Sequence, residues 1–217
     1  MMLINVLKEV TDAVANESVL NKNMMQTTQL ILLIIITVLV SLILLLVGLP
    51  KLLEIIKTKM MKSKYDKLGK STQVRLINQL REAVAFLSKN KVGALVTIEN
   101  SDNIDNLRTD GVIINANISS SLLISIFNKE SPLHDGAVVI RNNKIYYAST
   151  FYKITRKSMD NKYGSRHRAA MGISEICDAT TIVVSEETGT ISIAKNGNIV
   201  PIKLEEFQEQ LIKYLKD

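Results

Sequence analysis

Both histidines of this chain lie within residues 131–187, among side chains suited to phosphate chemistry. His134 is followed directly by Asp135, and His167 stands between two arginines. A carboxylate beside an imidazole can hold a divalent metal ion or accept the proton of an attacking hydroxyl. The planar guanidinium groups of arginine bind phosphate oxygens two at a time. The residue types in this stretch therefore favour a site that handles a phosphate-containing substrate.

The arginines lie where a helix is expected to begin. Gly164 frees the backbone, and we predict Ser165 as the N-cap of a helix that ends near Cys177. A helix start exposes unpaired N–H groups and the positive end of the helix dipole, so anions are bound there. Arg166 and Arg168 add their charge to the first turn. The pattern predicts a cradle for phosphate groups.

The acidic half of the site is predicted at the start of a strand. Pro132 and Gly136 favour a turn that presents His134 and Asp135 just before the apolar residues 137–140. By itself, an Arg-His-Arg triplet is commonly a solvated basic patch, and an Asp-Gly pair is commonly only a turn. The occurrence of both clusters in order, with their particular flanking residues, favours a functional site.

Several separate blocks, in the same order, resemble the diadenylate cyclase domain family. The resemblance covers about residues 72–200. The blocks are Pro-Leu-His-Asp-Gly-Ala at 132–137, Arg-His-Arg-Ala-Ala-Met-Gly-Ile-Ser-Glu at 166–175, Val-Ser-Glu-Glu-Thr-Gly at 184–189, and upstream Gly-Ala-Leu-Val-Thr-Ile-Glu at 93–99 and Leu-Leu-Ile-Ser-Ile-Phe at 122–127.

This resemblance implies a reaction. Members of the family join two ATP molecules into cyclic di-AMP and release two pyrophosphates, with each 3′-hydroxyl attacking the α-phosphorus of the other nucleotide. It also implies a divalent metal cofactor, Mn²⁺, Mg²⁺ or Co²⁺. Because the two nucleotides must meet in opposite directions, each in its own domain, it further implies a homodimer or higher homo-oligomer.

The resemblance also assigns residues. Asp135 is expected to activate the attacking hydroxyl and, with His134, to hold the metal; alternatively, His134 only orients Asp135 by a hydrogen bond. Arg166, His167 and Arg168 complete the catalytic set. The residues expected to bind ATP are Gly136, Ala137, Phe151, Tyr152, Ser165, Arg166, Arg168, Ser185 and Glu186.

The chain departs from the family pattern after the strand that ends near Thr150. The family usually carries an aromatic or aliphatic pair and then Pro-Leu-Ser, whereas residues 151–155 here read Phe-Tyr-Lys-Ile-Thr. Phe151 is still expected to stack on adenine, and Tyr152 to wall the base. Ser165 replaces the usual threonine and keeps its hydroxyl.

We interpret Glu99 as structural rather than catalytic.

Residues 30–49 form an uncharged run rich in leucine, isoleucine and valine. About 20 apolar residues in a helix span a bilayer core. The run is longer than the apolar region of a secretory signal, about 7–15 residues, and a buried core helix would normally keep a polar face. We predict a single transmembrane helix at 28–50, as in a less common single-span form of the family, whose membrane-bound members mostly have three.

The lysines predict how the chain is oriented in the membrane. Residues 51–70 contain seven lysines and two acidic residues, and this block accounts for most of the net charge of +6. Positive charge beside a span favours the cytoplasmic side, where lysines also meet lipid headgroups. The sequence thus predicts a short extracytoplasmic segment at 1–27, a basic juxtamembrane helix at 51–70 and a cytoplasmic catalytic domain at 71–217. The helical spacing within 1–27 suits either a surface-lying amphipathic helix or a self-association or partner helix.

Hydrophobic periodicity within 71–217 predicts an α+β domain, a mixed central β-sheet flanked by helices. A first helix, capped by Ser71, is expected to bury Val74, Ile77, Leu80, Val84 and Leu87. The other predicted helices cover 119–127 and 204–215, a polar loop covers 100–109, and strands are predicted at 93–99, 137–140, 144–150, 181–185 and 190–194.

Two other functional classes fit the sequence less well than an enzyme does. A non-catalytic nucleotide sensor on the same fold is disfavoured because Asp135 and the arginine pair are both present. A membrane-anchored nucleic-acid binder is disfavoured because the domain beyond residue 70 is nearly neutral and lacks interleaved basic and aromatic residues. The single cysteine, Cys177, excludes an internal disulfide and fits a reducing compartment. The sequence does not indicate a regulatory protein partner.

Overall fold

The computed structural model describes the backbone of residues 2–60, 64–160 and 162–216, and the side chains of 24–53, 64–160 and 162–216. The chain divides into two compact units, Met1–Met60 and Met61–Asp217. We describe each unit by itself, beginning with the N-terminal one.

The first unit is one long helix, α1 (Met2–Met60). The most apolar 18-residue window of its stretch Met24–Leu53 has a mean hydropathy of 3.6, and none of that window is buried. At about 1.5 Å per residue, this stretch is longer than the roughly 30 Å hydrocarbon core of a bilayer. By length and composition, it is the one described stretch able to cross a membrane. The segment limits predicted at 27/28 and 50/51 fall within this continuous helix. The amphipathic face predicted for residues 1–27 lies mostly outside the residues whose side chains are described.

The second unit combines helices with an eight-stranded sheet, which confirms the predicted α+β class. A short 3-10 helix, Asp105–Leu107, lies in the segment predicted as a polar loop. The other elements are α2 (Lys70–Lys89), β1 (Ala94–Ile98), β2 (Arg108–Thr109), β3 (Val112–Asn117), α3 (Ser120–Phe127), β4 (Ala137–Arg141), β5 (Lys144–Tyr152), α4 (Ser165–Ile176), β6 (Thr180–Val184), β7 (Ile191–Lys195), β8 (Asn198–Ile202) and α5 (Phe207–Lys216).

The sheet is mixed. Its strand order is β2-β5-β4-β1-β6-β7-β8, with β3 also paired to β5. Strands β1 and β4 run parallel, and the other pairs are antiparallel. Because side chains alternate along a strand, Val96 and Ile98 face one core while Leu95 faces another. Helices α2, α3 and α5 contribute buried side chains to the first core, and α4 contributes to the second.

Helix α2 buries a stripe centred on Leu76, Leu80 and Leu87. The prediction that Val74 belongs to this stripe is wrong, since Val74 is 60% exposed. Two residues correspond to about 200° around a helix, so Val74 points away from the side on which Leu76 is buried. Ile77, also predicted to be buried, is on the packed side.

The predicted helix caps are also corrected. Helix α2 is capped by Gly69 rather than Ser71, and α4 by Gly164 rather than Ser165. Neither cap makes a side-chain hydrogen bond. Ser165 is therefore the first helical residue, where its hydroxyl and its N–H are both free of the capping role and available to a ligand.

Three strands were not predicted. β2 and β3 follow the 3-10 helix, and β8 contains Pro201. β8 lies at the end of the sheet, where a proline can be accommodated because one side of the strand has no partner. Helix α5 begins at Phe207, three residues later than predicted.

A buried ion network lies at the C-terminal ends of β1 and β4. The side chain of Glu99 is 1% exposed and is hydrogen-bonded by Arg141, and Lys64 Nζ lies 3.8 Å from its Oε1. Arg141 Nη2 in turn lies 2.8 Å from Asp105 Oδ1. A buried carboxylate held by paired cations at this end of the sheet fits the interpretation of Glu99 as a structural residue.

We predict that this network makes stability depend on pH in acid. The hydrogen bond from Arg141 lowers the pKa of Asp105 from 3.8 to about 2. Because the pKa of Asp105 is lower in the folded state than in the unfolded state, the ionised carboxylate stabilises the fold above about pH 4. This stabilisation is lost as the pH falls towards 2. Asp105→Asn should lower the free energy of unfolding at pH 7 by about 1 kcal/mol, after discounting for the partial exposure of Asp105.

The measurement is denaturant unfolding of the full chain in detergent between pH 2 and 7, followed by tyrosine fluorescence. Asp105→Asn should flatten the loss of stability between pH 4 and 2. Glu205→Gln, which removes an exposed carboxylate, controls for the change in net charge. An unchanged profile in Asp105→Asn would contradict the assignment.

Candidate active site

The two clusters singled out in the sequence meet in one cavity. It has a volume of about 250 Å³ and lies where α4 begins, beside the start of β4 and the end of β5. Its lining combines polar and apolar residues. Its lining residues are Leu95, Asp135, Gly136, Thr150, Phe151, Tyr152, Ile154, Ser165, Arg166 and Ala169.

Gly136 sets the position of Asp135. Its φ is +90°, and a Cβ atom there would lie 2.7 Å from the carbonyl oxygen of Thr150. The adjoining part of β5 is irregular: the register with β4 shifts, and Ser149 has a φ of +53°. Only glycine accommodates both the backbone angle and the close approach. Asp135 itself is exposed, and its Oδ1 accepts the Gly136 N–H at 3.0 Å.

His134 points its ring nitrogen Nδ1 at a backbone carbonyl rather than at Asp135. The distance from Nδ1 to the Ser131 oxygen is 2.6 Å, so Nδ1 carries the proton and Nε2 is left as the acceptor. This geometry favours a ligand role through Nε2 over the alternative of an orienting hydrogen bond to Asp135. His134 is half-buried and does not line the cavity itself.

The acidic half of the site suits a metal ion that arrives with its substrate. Among the described residues, no group of three or more histidine, cysteine or acidic side chains could hold a metal ion alone. His134 and Asp135 together supply two donors. Mg²⁺ and similar ions are commonly held by one or two carboxylates, with substrate phosphates and water completing the shell. The residues present therefore fit a divalent ion shared with a nucleotide.

Arg166 faces both a carboxylate and the cavity. Its Nη1 lies 2.8 Å from Glu186 Oε2, while its buried Nε has no hydrogen-bond partner among the described residues. A Cβ atom on Gly93 would lie 2.7 Å from Nη1, so this glycine leaves room for the guanidinium. An unpaired buried donor is unfavourable. A phosphate oxygen in the cavity could satisfy it.

Glu186 is held in a turn that is anchored to α2. The Gly189 N–H donates to the Ser185 oxygen at 2.9 Å, and the Ser88 hydroxyl donates to the Gly189 oxygen at 2.6 Å. This turn and the start of α4 enclose a small adjoining cavity of about 30 Å³. Ser165, Arg166, His167, Ser185 and Glu186, all predicted site residues, line it.

His167 is buried against the ring of Tyr163, with ring centroids 5.0 Å apart. Burial lowers its pKa below the usual value, although Glu187 partly opposes this. A lowered pKa leaves the imidazole neutral at pH 7. His167 can then donate one N–H to a ligand but adds no positive charge to the site.

The remaining predicted residues lie away from the described cavity lining. Arg168 is half-buried, and its backbone N–H bonds to Gly164 while its carbonyl accepts the Thr155 N–H at 3.1 Å. Ala137 is fully buried in β4. The structure adds four lining residues that were not predicted: Leu95, Thr150, Ile154 and Ala169.

Phe151 and Tyr152 form different parts of the wall. Phe151 is 41% exposed and so accessible for stacking, whereas Tyr152 is 8% exposed. Burial raises the pKa of the Tyr152 hydroxyl, which lies in the core near Thr97 and Cys177. The ring of Tyr152 is therefore a fixed surface. With Leu95 and Ala169 it supplies apolar lining suited to a base, in a cavity whose other lining residues include Asp135, Ser165 and Arg166.

Residues 81–199 match the protein-family model described as "DAC: DisA bacterial checkpoint controller nucleotide-binding". This match covers more than half of the chain. The chain belongs to the DAC family. The DAC resemblance stated from the motifs is thereby confirmed.

Two curated DAC relatives are similar to this chain. A protein of Mycoplasma pneumoniae named "Diadenylate cyclase" is 40% identical over 148 residues, which cover 67% of this chain and 73% of the relative. The Bacillus subtilis "Cyclic di-AMP synthase CdaA" is 41% identical over 142 residues, which cover 65% of this chain and 52% of the relative. The chain thus spans about half the length of the second relative.

Two solved structures share the fold. A crystal structure of DacA from Staphylococcus aureus, a double mutant, superposes with a TM-score of 0.64 at 37% identity, covering 67% of this chain and 98% of that one. A hypothetical membrane spanning protein from Bacillus cereus gives a TM-score of 0.57 at 42% identity, covering 58% of this chain and 62% of that one. The DAC fold, with its mixed sheet flanked by helices, is confirmed.

We predict that Gly136→Ala destabilises the DAC unit by about 1–3 kcal/mol, because alanine is strained at this φ and its methyl group meets the Thr150 backbone. Urea unfolding of the full chain in detergent measures the change. Gly69→Ala is the matched control, since a Cβ atom there meets nothing within 4 Å, and it should cost less than about 1 kcal/mol. Equal losses in the two variants would contradict the close approach at Gly136.

Proposed function

We propose that this chain is a diadenylate cyclase, which condenses two ATP molecules into cyclic di-3′,5′-AMP and releases two pyrophosphates. The observation that carries the proposal is the single cavity in which an exposed carboxylate, a helix N-terminus with an arginine and an apolar wall come together. Membership of the DAC family and the names of the relatives support the same reaction.

Asp135 activates the attacking 3′-hydroxyl. Its carboxylate is exposed at the cavity, and Gly136 brings the backbone close without a side chain in the way. His134 and Asp135 would hold a divalent ion, Mn²⁺, Mg²⁺ or Co²⁺. When bound, such an ion lowers the pKa of a coordinated hydroxyl and neutralises phosphate charge.

The start of α4 binds the phosphates. Ser165 and Arg166 line the cavity, and Arg166 Nε is buried without a hydrogen-bond partner among the described residues. The N–H groups that a helix start leaves unpaired add further donors for phosphate oxygens. Donors placed before the substrate arrives stabilise charge that develops on the leaving pyrophosphate. His167, Arg168, Ser185 and Glu186 line or support the neighbouring space. The base is held by Phe151 and Tyr152.

Catalysis requires two copies of the chain. A cavity of about 250 Å³ is smaller than the usual 300–1,000 Å³ of a ligand site, so it does not hold two ATP molecules. The reaction needs two nucleotides in opposite directions. Face-to-face pairing of two DAC units, each holding one ATP, satisfies this requirement, and Asp135 lies exposed where the partner nucleotide would approach.

The chain is anchored in the cell membrane by the stretch Met24–Leu53, with the DAC unit in the cytoplasm. The excess of lysine in residues 51–70 supports this orientation, since positive charge beside a span favours the cytoplasmic side, where anionic headgroups attract it. Protease added to intact spheroplasts should leave the DAC unit whole, whereas protease added to inverted vesicles should digest it. Digestion in spheroplasts and protection in inverted vesicles would contradict the proposed topology.

The direct test uses the full chain purified in detergent. Incubation with ATP and MnCl₂ should yield cyclic di-AMP, identified by mass spectrometry, with two pyrophosphates per product. A nucleotide sensor would bind ATP without forming product, and that outcome would refute the proposal.

We predict that Asp135→Asn lowers product formation by about 10²–10⁴-fold, since the amide cannot accept the hydroxyl proton. Without added divalent ion, so that the proposed metal-holding role does not contribute, affinity for a non-reacting ATP analogue should change by less than about threefold, because the uncharged isostere keeps the shape of the site. Arg166→Ala is the contrasting variant and should lose affinity for the analogue. Retained activity in Asp135→Asn would contradict the proposal that Asp135 activates the 3′-hydroxyl.

We also predict that one copy of the chain is inactive alone. In lipid nanodiscs loaded with a single copy, cyclic di-AMP should be absent although ATP binds. Nanodiscs with two copies should restore the product, because both nucleotides can then meet. Equal activity per copy in the two preparations would rule out the need for pairing.

A further inference from the structure

The segment after β5 crosses α4 at a glycine. A Cβ atom on Gly172 would overlap the carbonyl oxygen of Lys153 and would lie 2.9 Å from the backbone nitrogen of Thr155. The segment and the helix can approach this closely only because residue 172 has no side chain. Residues 153–155 are therefore set directly against the helix that carries Ser165 and Arg166.

Hydrogen bonds hold the segment in this place. Thr155 is 7% exposed; its N–H donates to the Arg168 carbonyl at 3.1 Å, and its hydroxyl donates to Glu175 Oε1 at 2.7 Å. The Lys157 N–H donates to the Thr155 hydroxyl oxygen at 3.0 Å. The Lys157 ammonium, 61% exposed, lies 3.3 Å from Glu175 Oε1 and adds little. We call the part-buried hydrogen bond from Thr155 to Glu175 the Thr155–Glu175 clamp.

The clamp acts on one cavity residue. Ile154 lies between Lys153 and Thr155, both fixed against α4, and it lines the cavity together with Ala169 of that helix. Ile154 is 55% exposed, an unusual degree for an isoleucine in an apolar wall, and a bound base would cover it. Glu175 does not line this cavity, so any influence on the ligand passes through the clamp.

We propose that Glu175 is a positioning residue for the nucleotide base, acting through Thr155 on Ile154. The proposal rests on the function proposed above. Asp135 and Arg166 line the same cavity, but their proposed roles concern the hydroxyl and the phosphates rather than the base. The protein contacts the base equally well in the ground state and in the transition state. Loss of such uniform binding raises KM and leaves kcat constant.

The test compares variants of the full chain in detergent by their KM and kcat for ATP. Thr155→Val removes the hydroxyl at nearly constant shape and should raise KM about tenfold, with kcat within about twofold. Thr155→Ser restores the hydroxyl and should keep KM within about twofold of the wild type. Glu175→Ala should match Thr155→Val, and the double variant should be no worse than either single variant, because both remove the same bond.

Leu211→Ala controls for stability alone. Leu211 is fully buried in α5, in the core on the other face of the sheet, so this change should lower Tm and leave KM unchanged. The proposal is overturned if KM follows Tm in this control. It is also overturned if Thr155→Val keeps a normal KM, or if Thr155→Ser is as impaired as Thr155→Val.

A binding measurement separates this proposal from the proposed function. The Kd of a non-hydrolysable ATP analogue should rise about tenfold in Thr155→Val and Glu175→Ala. If the wild type forms no cyclic di-AMP, the proposed function fails, yet the rise in Kd still supports the clamp. An unchanged Kd overturns the clamp whether or not the wild type is active.

Discussion

The packing of α4 against one face of the sheet is the contact on which the rest of the site depends. Ala170 and Ile173 are fully buried against Leu95 and Val183. Burial of an isoleucine side chain contributes about 1.5–3 kcal/mol. This packing sets the direction of the helix, so its N-terminus opens beside the start of β4, and every polar group of the site is positioned relative to that end.

Small residues make this packing close enough to be useful. Gly172 lets residues 153–155 lie on the helix, and Gly93 leaves space for the guanidinium of Arg166. Gly136 brings β4 against the backbone of Thr150. Each of these glycines stands where a backbone or a charged group must approach, which explains why the cavity is assembled from segments far apart in the sequence.

Chemistry and stabilisation are placed at opposite ends of β1 and β4. The cavity lies where these strands begin, near Gly93 and Asp135, and the ion network of Glu99 and Arg141 lies where they end. At the cavity end, the carboxylate of Asp135 is exposed and available to a ligand. At the other end, the carboxylate of Glu99 is buried and hydrogen-bonded by Arg141. A carboxylate thus has opposite roles according to its surroundings.

The polar half of the site could be predicted from the sequence, whereas the apolar half could be predicted only in part, through Phe151 and Tyr152. Asp135, Ser165 and Arg166 belong to motifs whose residue types carry chemistry, and the structure brings them together. Leu95, Ile154 and Ala169 are ordinary apolar residues that only tertiary packing selects. The capping predictions for Ser71 and Ser165 failed because glycine precedes each helix and takes the cap position. Strand β8 was missed because Pro201 argues against a strand except at the end of a sheet.

The ion pair between Arg166 and Glu186 has a consequence for which anions the site admits. The carboxylate lies 2.8 Å from the guanidinium, but its side chain is 55% exposed, so the pair is a weak one that a ligand can open. For the proposed substrate, a triphosphate that also reaches the start of α4 would engage several donors at once, whereas chloride would meet only one. The competing carboxylate would thus favour densely charged anions over small ones.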